Sequence, residues 1–164
     1  MGHQQHDSGT GRRLLNAEFT SGLQHFENAD YSEALLLFRA AEAAAGIDDI
    51  FLNRYTSFHG LTRVLMGDES GVKLCRKAAV GRANDPEVYY NLALAEQRLG
   101  YRESAYMALR RGLGISPEHS GLVRLKGELG LRDKHGLFAG LPRDHFLNRW
   151  LGRLLRGSRQ PYRD

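Results

Sequence analysis

Residues 85–118 have the sequence DPEVYYNLALAEQRLGYRESAYMALRRGLGISPE, and this stretch decides the fold. Its apolar residues recur at intervals of three and four, which predicts two amphipathic helices over residues 88–99 and 102–113. Asp85 opens the stretch and Ser116 stands near its end, and each is followed by proline. Aspartate and serine cap helix N-termini, and proline is tolerated in the first turn because its missing N–H is not needed there. We therefore expect a helical hairpin with a further helix starting after it.

Helical spacing continues on both sides of this hairpin. Asp30 with Glu33 three residues later forms a capping box, which marks the start of a helix, and Gly46 is the residue type that commonly ends one. The sequence predicts these further helices over residues 14–27, 31–45, 47–65, 70–80 and 118–129, the last one stopped by Gly130.

Small residues recur where the paired helices would cross. They are Gly22, Gly60 and Ala93 on the first helices and Ala34, Gly71 and Ala105 on the second helices. A larger residue follows one turn later on each second helix: Phe38, Cys75 and Leu109. The unit repeats about every 33 to 38 residues, which is typical of stacked repeats. One such hairpin cannot bury its apolar faces alone, whereas three stacked hairpins can.

This order of small and large residues resembles the tetratricopeptide repeat family over residues 14–129. The third unit matches it well, and the second has Cys75 where the family usually has an aromatic residue. The resemblance implies an all-α, right-handed superhelix of about three hairpins, in a domain of residues 14–130. An unrelated helical bundle is the alternative fold.

In the family that the chain resembles, the first helices of the repeats line a concave face that binds extended peptides or helices. The resemblance carries this partner groove to the following residues: Asn16, Phe19, Leu23, Phe26, Arg54, Ser57, Leu61, Val64, Glu87, Tyr90, Leu94, Gln97 and Arg98. Relatives that bind acidic chaperone tails have lysines and asparagines at several of these positions, two of which are Phe19 and Leu23 here. We therefore expect an amphipathic helix or a mixed peptide instead. The alternative is that the apolar residues are core, or are covered by the chain's own C-terminal segment.

The C-terminal segment, residues 131–157, combines an apolar strap with an amphipathic helix. A Trp and Leu stripe runs along one side of that helix, and Arg149, Arg153 and Arg156 fall on the other side. Three roles are open for it: a helix that caps the solenoid, a docking helix for another protein or a second copy of this chain, and a binder of an anionic membrane or nucleic acid.

The composition is that of an ordinary globular protein. The chain has 164 residues, 41% hydrophobic and 26% charged, with a formal net charge of +4 and one cysteine. No disulfide can form within the chain and no apolar run has the length of a membrane helix, so we expect a cytoplasmic protein. Residues 1–13 and 158–164 are predicted to be disordered tails. A membrane or nucleic-acid partner is not favoured, because the basic cluster is short and contains acidic residues.

No catalytic or cofactor pattern emerges from the sequence. The histidines are scattered, glycine-rich phosphate loops are absent, and Cys75 on an inward-facing stripe is more typical of a buried thiol than of a nucleophile. We therefore expect no cofactor, no metal and no enzymatic activity. The predicted function is protein binding, as a small adaptor or assembly factor. The alternative is a peripheral binder of anionic surfaces acting through the C-terminal helix, and an enzyme ranks third.

Overall fold

A computed structural model of the chain describes residues 15–80 and 84–130, and these residues are entirely helical or irregular. The seven α-helices are α1 (Ala17–Glu27), α2 (Tyr31–Ala44), α3 (Leu52–Leu65), α4 (Val72–Ala78), α5 (Pro86–Arg98), α6 (Arg102–Ile115) and α7 (Ser120–Glu128), with a short 3-10 helix, Glu69–Gly71, before α4. All of them lie in the unit Met1–Leu129. The predicted tails and the C-terminal strap and helix fall outside the described residues.

The helices pack as consecutive hairpins. The pairs α1 with α2, α3 with α4, and α5 with α6 form the three hairpins, while α3 also packs against α2 and α5, and α7 packs against α6. Each hairpin thus contacts the next one in the chain. The predicted all-α helical-hairpin repeat is confirmed.

Small residues do lie where the helices cross. A Cβ atom added to Gly22 would stand 2.8 Å from the ring of Phe38, and one added to Gly60 would stand 2.7 Å from the carbonyl oxygen of Gly71. Real Cβ atoms do not approach other atoms so closely, because interiors are packed at crystal-like density. Only a residue without a side chain therefore permits these crossings. The residues predicted to fill the remaining space, Phe38, Cys75 and Leu109, are all fully buried.

The aspartate caps are confirmed, but the serine cap is wrong. Asp30 accepts a hydrogen bond from the N–H of Glu33, and Asp85 accepts one from the N–H of Glu87. Ser116 instead begins a turn that delays α7, and the side chain of His119 caps that helix by accepting from the N–H of Leu122 at 3.3 Å.

The predicted start of the third helix at residue 47 is also wrong, because α3 begins at Leu52. The N–H of Asp49 donates to the carbonyl of Gly46, and its carboxylate accepts from the N–H of Phe51 at 2.8 Å. These local bonds favour a turn over a helix. Ile47 is 91% exposed and finds no packing that would favour an earlier start. The first helix, predicted from residue 14, begins at Ala17, and the remaining helix boundaries lie within two residues of their predicted positions.

Candidate functional site

A cavity of about 600 Å³ opens along the first helices of the hairpins and α7. We call it the first-helix cavity. Its lining residues are Phe19, Leu23, Phe26, Glu27, Arg54, Phe58, Leu61, Glu87, Tyr90, Asn91, Leu94 and Arg124. Because α1, α3, α5 and α7 each contribute, the cavity depends on the stacking of the hairpins rather than on any one of them.

Packed aromatic rings form the floor of the cavity on the α1 side. The ring of Phe58 lies 5.3 Å from that of Phe19 and 5.6 Å from that of Phe26, in edge-to-face arrangements. Phe19 also packs on Tyr55, at 4.7 Å between centroids. Such aromatic pairs are stabilising beyond the apolar area they bury. Phe19 is fully buried, so this floor is part of the core as well as a wall of the cavity.

A buried polar pair follows the aromatic floor. The Asn91 amide on α5 donates to the hydroxyl of Ser57 on α3 at 3.0 Å, and that hydroxyl donates to the carbonyl of Arg54. Asn91 and Ser57 are both buried. The bond joins two successive hairpins through side chains that stand 34 residues apart. Satisfied buried polar groups fix one relative position of the helices that carry them.

Arg54 lines the cavity, and its guanidinium is hydrogen-bonded to Asp85. Its Nε and Nη2 atoms donate to the two carboxylate oxygens at 2.7 and 2.9 Å. This two-point hydrogen bond raises the pKa of Arg54 above its usual value, so the guanidinium stays charged. The same carboxylate caps α5, which ties the position of Arg54 to the start of that helix.

The far wall of the cavity is formed where α7 packs against α5. Tyr90 accepts a hydrogen bond from Arg124 at 3.0 Å, and its ring covers Gly121, where an added Cβ would lie 2.8 Å from the ring. His119 contacts Glu87 at 3.1 Å. The helix that follows the three hairpins therefore contributes to the cavity in the way that the first helices do.

The structure brings eight of the predicted groove residues to the cavity and leaves the others outside it. Asn16 caps α1 by accepting from the N–H of Phe19, and Val64 is buried in the cluster that contains Cys75. Gln97 and Arg98 do not line the cavity, and Ser57 lies behind Asn91. Val64 and Ser57 point to the core because α3 is buried on several sides. The basic residues Arg149, Arg153 and Arg156 lie outside the described residues.

Four lining residues were not predicted: Glu27, Phe58, Asn91 and Arg124. The repeat period could have been used to predict Arg124 as a lining residue. Arg124 follows Tyr90 by 34 residues, and the same spacing relates Asn91 to Ser57. Adding one period to a first-helix position gives the facing position on the next first helix.

Two titratable groups outside the cavity, Cys75 and Glu96, are buried between helices. Burial raises the pKa of Cys75 to about 12, and its thiol contacts the carbonyl of Ser57, so the thiol is un-ionised at neutral pH and a poor nucleophile. Glu96, 2% exposed, accepts two hydrogen bonds from Arg76 at 2.7 and 2.9 Å. Across residues 15–80 and 84–130, no group of three or more His, Cys, Asp or Glu side chains could hold a metal ion. No helix in these ranges is long and apolar enough to cross a membrane.

The stacked hairpins and the cavity define a protein with a tetratricopeptide-like helical-repeat fold. The first TPR of Spaghetti (RPAP3), bound to the HSP90 peptide SRMEEVD, is similar with a TM-score of 0.55 at 15% identity, over 69% of this chain and 87% of that chain. PcrH in complex with the chaperone binding region of PopB is similar with a TM-score of 0.54 at 17% identity, over 74% of this chain and 96% of that chain. No protein-family model and no curated protein sequence matches this chain.

Proposed function

We propose that the protein is a non-catalytic interaction module, a small adaptor or assembly factor, that binds a peptide or helix of a partner protein in the first-helix cavity. The observation that carries this proposal is the cavity itself, with an apolar floor between charged edges. Its volume of about 600 Å³ falls within the range of about 300–1,000 Å³ typical of ligand sites. We propose the cytoplasm as the setting, since the single cysteine allows no disulfide within the chain.

The packing of the cavity suits the anchoring of apolar side chains. Leu23 and Leu94 are only partly buried, while Phe19 and Leu61 beneath them are fully buried. An apolar side chain of a partner would therefore contact the partly exposed Leu23 and Leu94, next to buried residues that are already packed. A floor fixed in this way has little conformational entropy to lose on binding, which favours affinity.

Two proteins of the same fold support a peptide as the partner. The solved structures named above hold an HSP90 peptide in one case and the chaperone binding region of PopB in the other. A peptide ligand for this chain is the corresponding proposal, without transfer of either sequence.

An unbiased peptide selection tests the proposal. The full chain is presented with a random peptide display library, and selected peptides are measured by fluorescence anisotropy against the wild type, Leu94→Ala and Leu36→Ala. Leu36 is 58% exposed on α2 and does not line the cavity, so it is a matched control. We expect Leu94→Ala to weaken binding by about tenfold or more, as truncation of an interface anchor does, and Leu36→Ala to leave it unchanged.

The variants must remain folded for this comparison, which thermal melting followed by circular dichroism will show. The proposal is wrong if no peptide is selected, or if the selected peptides bind folded Leu94→Ala as tightly as the wild type. Binding lost in Leu36→Ala but kept in Leu94→Ala would place the binding surface on the second helices instead.

A further inference from the structure

We infer that the peptide which binds in the first-helix cavity carries a lysine or arginine beside its apolar residues, and that Glu27 is the group that recognises it. This inference rests on the proposed function, because it assigns the chemistry of the ligand for the same cavity. It follows from how the charged side chains at the cavity are paired.

Each arginine of the cavity already has its own carboxylate. Arg54 gives two of its three nitrogens to Asp85, in a pair whose side chains are 29% and 20% exposed. Arg124 donates to the hydroxyl of Tyr90 and lies 3.5 Å from Glu128 one turn further along α7. An acidic ligand would have to compete with these carboxylates of the chain for both cations.

The two glutamates of the cavity differ in their partners. Glu27 is exposed at the end of α1, and its carboxylate has no hydrogen bond or ion pair with any residue in 15–80 or 84–130. The carboxylate of Glu87 contacts the imidazole of His119 at 3.1 Å, and its charge adds to the hydrogen bond and charge of Asp85 in raising the pKa of Arg54. That ring accepts a hydrogen bond at Nδ1 from the N–H of Leu122, so Nε2 is the ring nitrogen that donates to the carboxylate of Glu87.

Four carboxylates therefore lie at or beside the cavity against two arginines, because Asp85 and Glu128 pair with Arg54 and Arg124, and Glu27 is the carboxylate among them without a charged partner in residues 15–80 and 84–130. Glu27 also stands at the C-terminal end of α1, where the helix carries partial negative charge. A cationic side chain is attracted by both, whereas an acidic tail is repelled by both. At the edge of an apolar cavity the effective dielectric constant is lower than that of water, which strengthens this discrimination.

The composition of the selected peptides gives the first test. Peptides recovered from the random library with the wild type should be enriched in lysine or arginine relative to the unselected library. In one selected peptide, the basic residue is then replaced by glutamine and by glutamate. We expect the glutamate version to bind at least about fivefold more weakly, the upper range for an exposed ion pair.

Charge reversal on the protein gives the second test. Glu27→Lys should weaken binding of the basic peptide by about fivefold and strengthen binding of the glutamate version, since the charge at residue 27 changes sign. Glu27 is exposed, and a lysine suits the C-terminal end of a helix, so this variant should fold normally. Glu18→Lys is the matched control, because Glu18 is an exposed glutamate of α1 that does not line the cavity.

The inference and the proposed function fail on different results. Peptides that lose affinity in Leu94→Ala, but are neutral or acidic and indifferent to Glu27→Lys, would overturn the inference and leave the cavity as the binding site. Equal effects of Glu27→Lys and Glu18→Lys on peptide affinity would mean that the net charge of the chain causes the change. That result would also overturn the inference. Peptides that ignore Leu94→Ala would overturn both.

Discussion

Two interfaces between successive hairpins hold this protein together by different means. Between the first and second hairpins, α1 and α2 pack against α3 through aromatic rings. The ring centroids of Phe19, Phe38 and Phe58 lie 5.3 Å from one another. The first interface also has polar contacts, because Glu42 on α2 accepts a hydrogen bond from Thr56 on α3 at 2.8 Å and contacts His59.

Between the second and third hairpins, the apolar contacts come from smaller residues such as Leu61, Val64 and Ala95. Polar contacts at this second interface join Ser57 to Asn91, Arg54 to Asp85 and Arg76 to Glu96.

Because of this difference, we expect the two interfaces to contribute differently to the stability of the chain and to the relative position of its helices. Aromatic rings bury large apolar areas, and their attraction is tolerant of small shifts between helices. Hydrogen bonds lose their energy steeply with distance and angle, so these three polar pairs define how α5 lies on α3 and α4. We expect the first interface to dominate the free energy of unfolding, and the second to determine the shape of the cavity that crosses it.

The largest expected effect is on the aromatic interface. Phe19→Ala removes a fully buried ring that contacts three others, and we expect the free energy of unfolding to fall by about 3–5 kcal/mol. Urea unfolding followed by circular dichroism measures it. Leu36→Ala, an exposed control on α2, should stay within about 0.5 kcal/mol of the wild type. A decrease of less than 1 kcal/mol in the free energy of unfolding for Phe19→Ala would mean that the aromatic rings are not the main source of stability at this interface.

A smaller loss is expected at the polar interface. Arg76→Ala leaves the buried carboxylate of Glu96 without its two hydrogen bonds, at a cost of about 1–3 kcal/mol for an unsatisfied buried group. Half of the Arg76 side chain is exposed, so water compensates in part and the lower half of that range is expected. Arg98→Ala, an exposed arginine of α5, is the control. If urea unfolding showed that Arg76→Ala and Arg98→Ala changed the free energy of unfolding equally, the Arg76–Glu96 pair would not have the role in positioning the helices that we assign to it.

The pH dependence of stability should reveal the buried thiol at the second interface. Burial, and next the charge of Glu96, raise the pKa of Cys75 from 9.0 to about 12. The unfolded chain loses the thiol proton above pH 9 and the folded chain keeps it, so stability is intact below pH 9 and falls as pH rises from there towards 12. Relative to Cys75→Ala, the wild type should lose about 1.4 kcal/mol per pH unit in this window. Parallel curves for the two proteins between pH 8 and 10.5 would show that the thiol is accessible to water.

The sequence predicted the apolar part of this molecule far better than the polar part. Spacing alone identified the crossings at Gly22 and Gly60, because close packing of helices requires small residues at fixed intervals. It did not identify the Asn91 and Ser57 bond, since an asparagine in a helical pattern is equally compatible with a solvent-exposed position. The start of α3 was misplaced because a local turn at Asp49 competes with a helix there, and only tertiary packing decides between them.

The cavity was predicted in part for the same reason. The predicted groove residues that line it are mostly apolar or aromatic members of α1, α3 and α5, whose direction follows from helical periodicity. Arg124 was missed because the predicted groove took residues only from the first helices of the three hairpins, although the position of Arg124 one period after Tyr90 makes α7 the next first helix. Glu27 was missed because a charge at a helix end is ordinarily solvated.

The most direct test of the account is to map a selected peptide onto the chain by methyl NMR. The methyl resonances of leucine are recorded with and without the peptide, and the leucines of the chain divide into two groups for this purpose. Leu23, Leu61 and Leu94 line the first-helix cavity, whereas Leu36 lies on α2 away from it. We predict that the peptide shifts the first group and leaves Leu36 unchanged. Shifts at Leu36 without shifts at Leu23 and Leu94 would contradict the claim that this protein binds its partner in the first-helix cavity.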